Sequence, residues 1–179
     1  MVYEGWERLA ADIGESHANY PILLTFRSPR PHRSWIVSLL AVLDAAALHL
    51  ALAPGSAPRE ARLALRAGFT ALRDVAAATR IPYDPDPLPD GPVRLTFAEF
   101  EAAVDRVRRS GLAVERTAEQ AWPHFRGWRV NYEQLAYELA RRVDAVPALW
   151  SGPRDFTTEA IAPIRPVDRR PVEAVAERV

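Results

Sequence analysis

The sequence predicts an all-α protein, a single helical bundle of about five helices. Apolar residues recur at steps of three and four along most of the chain, which is the period of an amphipathic helix. No stretch alternates apolar and polar residues as a half-buried strand would. Prolines, glycines and capping residues divide the chain into segments of helix length. We therefore expect helices packed on helices around one core.

The most apolar stretch spans residues 34–52 and predicts a buried helix at the centre of the bundle. At a rise of about 1.5 Å per residue, this stretch is long enough to cross a bilayer. Asp44 lies in its middle, however, and a carboxylate at the centre of a membrane-spanning helix costs several kcal/mol. Because prolines flank the stretch and no aromatic belt does, we expect a soluble core helix with no direct membrane insertion.

The N-terminal residues predict a first helix with one apolar face. Pro21 should interrupt this helix, because proline lacks a backbone donor and clashes with the carbonyl four residues earlier. Two prolines in the stretch 28–33 exclude a helix there, and Ser34 suits the N-cap position of the central helix. The residues of the first apolar face are Trp6, Leu9, Ala10, Ile13, His17 and Tyr20.

A third helix is predicted after the central one. Ser56 is the expected N-cap, Pro58 lies near the first turn, and the helix should run to about Arg80. The next stretch, 81–93, is dense in proline and aspartate and predicts an irregular surface loop.

Two capping boxes predict the starts of the remaining helices. Thr96 with Glu99 begins the fourth helix, and Thr117 with Gln120 begins the last one. An apolar stripe then continues without interruption, so we expect one long final helix that ends at Pro147.

Length and composition limit the organisation of the chain and its partners. The 179 residues suit one domain, 1–152, followed by a proline- and charge-rich tail, 153–179, that we expect to be poorly ordered. The absence of cysteine excludes disulfides and thiolate zinc sites. Basic and acidic residues balance at 23 each, so we expect no nucleic-acid partner. The N-terminus lacks the features of a signal peptide, which predicts a cytoplasmic location.

Five polar residues fall on or beside apolar helix faces and form a candidate buried polar network. A buried carboxylate must be paired or protonated, so Asp44 requires a partner, such as Arg27, His17 or a backbone donor. The alternative is a metal or acid–base site, since zinc and iron accept histidine and aspartate as ligands. The five residues are Glu15, His17, Arg27, Asp44 and His49.

The spacing of these residues argues against a metal site. Metal sites in helical bundles usually combine a glutamate with a histidine three residues later on the same face. Glu15 and His17 are two residues apart, and His49 lies five beyond Asp44, so neither pair shares a helix face. We therefore favour a structural network and expect no cofactor.

Large aromatic residues provide a second set of candidates. Most should lie in the core, because no basic groove surrounds them as base stacking would need. Part of the set could instead form a partner surface, or a small-ligand pocket beside Trp35 and Tyr20. The candidates are Tyr20, Trp35, Trp122, Trp128 and Tyr132.

One pattern of residues resembles a known family. It consists of Trp6, Glu15-Ser16-His17, Tyr20-Pro21, Leu23, Phe26-Arg27-Ser28, Ser34-Trp35, Leu39 and Leu43-Asp44. The pattern is similar to the cytoplasmic C-terminal region of bacterial two-transmembrane potassium-channel-like proteins of the ion channel family. The resemblance covers residues 6–52, and the stretch 147–150 is similar to the proline–tryptophan end of the same region.

The resemblance implies a non-enzymatic soluble module with an assembly or regulatory role. The chain contains no selectivity-filter sequence, so the pore belongs to the part of such proteins that this chain does not match. The implied partner is a second copy of the chain or a channel-like membrane protein. The alternative hypothesis is a metal-dependent or small-ligand-binding helical protein, or an enzyme, that uses His17, Asp44 and His49.

Overall fold

The computed structural model describes residues 2–26 and 34–152, and within these ranges the protein is all-α. Every regular element there is helical and no strand occurs, which confirms the predicted fold class. The α-helices are α1 (Val2–Asn19), α2 (Trp35–Leu52), α3 (Arg59–Ala78), α4 (Phe97–Arg109), α5 (Ala118–Arg129) and α6 (Glu133–Arg142), and a 3₁₀ helix spans Pro21–Thr25. The predicted tail, 153–179, lies outside the described residues.

The described part of the chain has six α-helices, because the expected last helix is divided in two. The backbone leaves the helical region at Tyr132 (φ −136°, ψ −18°). The side-chain amide of Asn131 donates to the carbonyls of Gly127 and Trp128 at 3.0 and 3.3 Å, which satisfies acceptors at the end of α5. The uninterrupted apolar stripe therefore spans two helices instead of one.

Local signals set several helix ends as expected. Both capping boxes are present, with Thr96 and Thr117 as N-caps of α4 and α5. Pro21 stops the first helix and occupies the first position of the 3₁₀ helix. Ser34 is the N-cap residue of α2, but its side chain makes no capping hydrogen bond. The third helix has Pro58 as its N-cap residue, not Ser56.

Helix α2 contacts α1, α3, α5 and α6. Half of its residues are buried, while Ala41 and Ala45 are exposed. By length and composition alone it is the one helix among the described residues that could cross a membrane, at a mean hydropathy of 2.0.

Helices α1 and α2 are antiparallel. Tyr3 lies beside His49, near the end of α2, with ring centroids 6.4 Å apart. His17 lies against Trp35 at the start of α2, with centroids 4.8 Å apart. The end of α1, the 3₁₀ helix and the start of α2 therefore lie at the same end of the bundle.

Candidate functional site

The best-defined polar site of the protein is centred on Arg129, whose side chain is completely buried. Its Nε donates to Glu133 Oε1 at 2.7 Å, and its Nη1 donates to Asp44 Oδ1 at 2.5 Å. Its Nη2 donates to the hydroxyl of Tyr137 at 2.8 Å and to the carbonyl of Trp150 at 3.0 Å. One guanidinium thus joins α2, α5, α6 and the chain beyond α6.

Two carboxylates and two hydroxyls complete this site. Tyr132 donates its hydroxyl to Asp44 Oδ1 at 2.9 Å, and Tyr137 donates to Glu133 Oε1 at 3.2 Å. Glu133 also accepts the backbone N–H groups of residues 94 and 95, at 2.5 and 3.1 Å. We call Asp44, Arg129, Tyr132, Glu133 and Tyr137 the buried ion cluster.

The spacing of residues around the α5–α6 break positions the cluster. Glu133 and Tyr137 are four residues apart in α6, which places them on the same face of that helix, and Arg129 at the end of α5 reaches Glu133 across the break. The rings of Phe125, Tyr137 and Trp150 lie 5.7–5.9 Å from the guanidinium carbon, where they stabilise a desolvated cation.

Burial, and the presence of two carboxylates beside one guanidinium, shift the pKa values of the cluster. Burial raises the pKa of Asp44 to about 6, although the charge and hydrogen bond of Arg129 oppose this change and Glu133 adds to it. Burial also raises the pKa of Tyr137, to about 12, and that of Tyr132 well above its usual range. Burial alone would lower the pKa of Arg129, but the charge on Asp44 raises it, so Arg129 stays charged.

These contacts indicate a structural role for the cluster. Arg129 and Tyr132 are fully buried and Asp44 is 5 % exposed, so a ligand cannot reach them without displacing the helices around them. The cluster ties together segments that are distant in sequence, since Asp44 and Arg129 are 85 residues apart. Tyr137 and Glu133 also line a surface groove between α6 and the loop that precedes α4.

Asp44 is buried and paired, as expected, but with different residues. Its side chain contacts Arg129 and Tyr132, whereas the ring of His17 lies against Trp35 and its Nδ1 is 3.0 Å from Ser16 Oγ. Burial lowers the pKa of His17, and a hydrogen bond from its ring to the Ile13 carbonyl partly offsets this change.

Of the remaining members of the expected network, Glu15 and His49 do not contact Asp44 either. Glu15 is exposed, His49 is half-buried beside Tyr3, and Arg27 lies outside the described residues. Within the described ranges, no three His, Asp or Glu side chains are close enough together to hold a metal ion.

The aromatic candidates lie in different environments. Tyr20 is 65 % exposed, while Tyr132 is fully buried and belongs to the ion cluster, so it cannot form a partner surface. Trp35 and Trp128 are half-buried. Trp122, also half-buried, packs against aromatic rings of α4 and α5, namely Phe97, Phe100 and Phe125.

Two surface features remain accessible to partners. A groove of about 580 Å³ lies between the loop that precedes α4 and the outer face of α6. Its lining includes Ile81, Val93 and Arg94 on one side and Tyr137 and Glu138 on the other. It is not beside Trp35 and Tyr20, where a pocket was expected.

The second feature is the exposed apolar segment, residues 20–26. Leu24 is 6 % exposed and packs into the core, whereas neighbouring large apolar side chains point outward. The exposed fractions are 65 % for Tyr20, 60 % for Ile22, 37 % for Leu23 and 67 % for Phe26. Single exposed apolar residues are ordinary, but four within seven residues indicate a binding surface.

Sequence reasoning missed Arg129, Glu133 and Tyr137. The four-residue spacing of these residues was visible, but it resembles the surface ion pairs that helices commonly carry. No protein-family model, curated protein or solved structure matches this chain. The resemblance to potassium-channel-like proteins therefore stays a prediction.

Proposed function

We propose that this chain is a non-enzymatic helical module that acts at the cytoplasmic surface of a membrane. It serves there as an assembly or regulatory domain for a membrane-located partner of the channel-like kind. The exposed apolar segment, residues 20–26, is the observation that carries this proposal. It presents four large apolar side chains to solvent on a segment that Leu24 anchors in the core.

The position of the segment supports a docking role. It follows α1 directly and lies at the end of the bundle where α2 begins. Asp44, Arg129 and Tyr132 of the buried ion cluster are enclosed in the core, whereas the segment is exposed. A partner can therefore contact the segment without disturbing the polar contacts that hold the helices together.

A fractionation experiment tests the proposal. The full chain is expressed in bacterial cells, and membranes are separated from cytosol by centrifugation. We expect most of the wild-type chain in the membrane fraction, and most of a Tyr20→Ser/Ile22→Ser/Phe26→Ser variant in the cytosol.

A matched control uses apolar residues of similar exposure elsewhere. Leu88, Leu112 and Leu149 are 70 %, 48 % and 66 % exposed. A variant with serine at these three positions should fractionate as the wild type does. A wild-type chain found in the cytosol, or equal effects of the two triple variants, would contradict the proposal.

A second candidate function, small-ligand binding, is favoured by the groove between the 81–94 loop and α6. A volume of about 580 Å³ is within the range of small-molecule sites, and Tyr137 and Glu133 contribute polar groups to its lining. The residues that line this groove do not include His17, Asp44 or His49, the ligand-binding residues suggested by the sequence.

Native mass spectrometry of the purified chain tests this second candidate. The groove should retain a small molecule that is lost by a Val93→Trp variant, because the larger side chain narrows the groove. A wild-type chain with no bound molecule would remove this candidate.

A further inference from the structure

We propose that the chain just beyond α6 opens and closes over Arg129 according to whether Asp44 carries a proton. We call residues 148–152 the Trp150 strap. The strap is closed when Asp44 is protonated and opens when this carboxyl group is ionised. The inference goes beyond the proposed function, because it concerns the buried ion cluster and does not depend on what the protein binds.

The strap covers one side of Arg129 without a helix. Arg129 Nη2 donates to the carbonyl of Trp150 at 3.0 Å, and the ring of Trp150 lies 5.7 Å from the guanidinium carbon. The strap follows the end of α6 and lies at the surface, where Leu149 is 66 % exposed. A short surface turn opens more readily than a packed helix. Water therefore reaches Arg129 most easily when the strap is displaced.

The backbone of the strap is held in an unfavourable conformation. Trp150 has a φ of +60°, in the left-handed region that residues with large side chains seldom adopt. Gly152 has a φ of +87°, and a Cβ atom there would overlap the ring of Tyr137. The hydrogen bond from Arg129 and the ring of Phe125, whose centroid is 5.8 Å from that of Trp150, stabilise the strap in this conformation. Weaker contact with Arg129 would therefore favour an open strap.

The charges of the ion cluster identify the group that takes up the proton. One positive charge, on Arg129, faces the carboxylates of both Asp44 and Glu133. Glu133 accepts two backbone N–H groups of the loop before α4 as well as Arg129 and Tyr137, which favours its ionised form. Burial raises the pKa of Asp44 to about 6. Asp44 is therefore the carboxyl group that the proton occupies.

The groups that face Asp44 belong to α5, to α6 and to the turn between them. They are Arg129, Tyr132 and Glu133, and the first two donate hydrogen bonds to Asp44. Helices α1 and α3 also pack on α2, but none of their described side chains forms a hydrogen bond or an ion pair with Asp44. The proton on Asp44 is thus coupled to the same guanidinium that holds the strap.

The direction of the coupling follows from hydration. An open strap admits water to the cluster, and a hydrated carboxyl group ionises more readily, so the pKa of Asp44 falls towards its usual 3.8. The closed state binds the proton more tightly, and loss of the proton shifts the population to the open state. Each pKa unit corresponds to a factor of ten, so a fall of about two units raises the ratio of open to closed strap about 100-fold.

Thiol reactivity measures the opening. The chain contains no cysteine, and Ser151→Cys places a single thiol in the strap at a position that is 1 % exposed. Its reaction with 4,4′-dithiodipyridine is followed from pH 4 to pH 8, and each rate is divided by that of a short unstructured peptide with the same cysteine. The normalised rate should rise about 10- to 100-fold up to about pH 6 and stay constant above it.

Three variants serve as controls. Asp44→Asn, combined with Ser151→Cys, should abolish the rise, because asparagine accepts a hydrogen bond but does not ionise. Asp105→Asn, which changes a carboxylate that is 57 % exposed in α4, should retain it. A lone thiol at Val75→Cys, a fully buried position in α3, should stay protected at every pH.

The contrary results are equally distinct. A normalised rate at position 151 that is constant or falls with pH would overturn the inference, whether or not Asp44→Asn folds. A rise that persists in Asp44→Asn would assign the proton to another group, and an equal rise at Val75→Cys would show that the whole bundle opens. Either result would also refute the strap.

Discussion

At the scale of single residues, the fold depends most on Arg129. This side chain is fully buried and contacts two carboxylates, one phenolic hydroxyl and a backbone carbonyl. A buried ion pair need not stabilise a protein more than an apolar substitute, but removal of one partner leaves the other charged and unpaired. The cluster is thus a point at which one substitution has a large effect.

Arg129→Met should lower the free energy of unfolding by about 3–5 kcal/mol, because Asp44 and Glu133 lose their common cation. Urea denaturation at pH 7, followed by circular dichroism, measures the loss. Arg141→Met is the matched control, since Arg141 pairs with Glu138 at 2.7 Å but is 58 % exposed. Its substitution should cost less than about 1 kcal/mol. Equal losses for the two variants would show that burial does not determine the effect.

Asp44 should make stability depend on pH in the acid range. Its folded-state pKa is raised from 3.8 to about 6, so the folded state holds a proton that the unfolded state releases. The stabilising contribution is therefore complete below about pH 4 and is lost as the pH rises through 6. At about 1.4 kcal/mol per pKa unit, it amounts to about 3 kcal/mol.

Comparison with Asp44→Asn isolates this contribution. The free energy of unfolding of the wild type, minus that of the variant, should fall by about 2–3 kcal/mol between pH 4 and pH 7.5. Urea denaturation at several pH values provides both quantities. A difference that stays constant, or that grows with pH, would mean that Asp44 is not the titrating group.

At the scale of elements, close packing between α2 and α3 depends on a glycine. A Cβ atom added at Gly68 would overlap the Cδ2 methyl of Leu43. Both residues are buried, and neither helix backbone can withdraw without opening the core.

Gly68→Ala should therefore lower the free energy of unfolding by about 1–3 kcal/mol. Gly5→Ala is the opposite case, because nothing lies within 4 Å of the added methyl group and Gly5 is exposed in α1. That substitution should raise stability by up to about 1 kcal/mol through helix propensity. Thermal and urea denaturation of both variants test the pair, and a shift of the same sign in both would refute the packing argument.

The capping residues give a further contrast. Thr96→Ala and Thr117→Ala should each cost about 1 kcal/mol, because each removes an acceptor for a backbone N–H in the first helical turn. Ser34→Ala should cost clearly less, since the Ser34 side chain makes no capping hydrogen bond in α2. Urea denaturation compares the three, and a Ser34→Ala loss as large as the others would contradict the observed geometry.

At the scale of the whole molecule, the described helices should unfold as one unit. The ion cluster links α2 to α5 and α6, and α1 and α3 pack on α2. The five tryptophans lie in α1, in α2, in α5 and beyond α6. Their fluorescence and the helical circular dichroism signal should therefore follow a single transition with the same midpoint in urea. An earlier fluorescence transition would indicate that part of the bundle unfolds separately.

The sequence alone determined the features that depend on near neighbours. The helical period, the capping boxes at Thr96 and Thr117 and the interruption at Pro21 arise from contacts within a few residues, so local spacing was enough to predict them. The burial of Asp44 also followed from the apolar residues on both sides of it in α2.

The tertiary structure decided which group pairs with Asp44. The sequence suggested Arg27, His17 or a backbone donor as the partner, whereas the structure pairs Asp44 with Arg129, 85 residues away. It also decided that Tyr132 lies inside the core and Tyr20 outside it, although both belong to apolar stripes. The physical reason is that helical periodicity shows which face of a helix is apolar. The partner of that face depends on how distant helices pack, and packing brings together side chains that no local pattern connects.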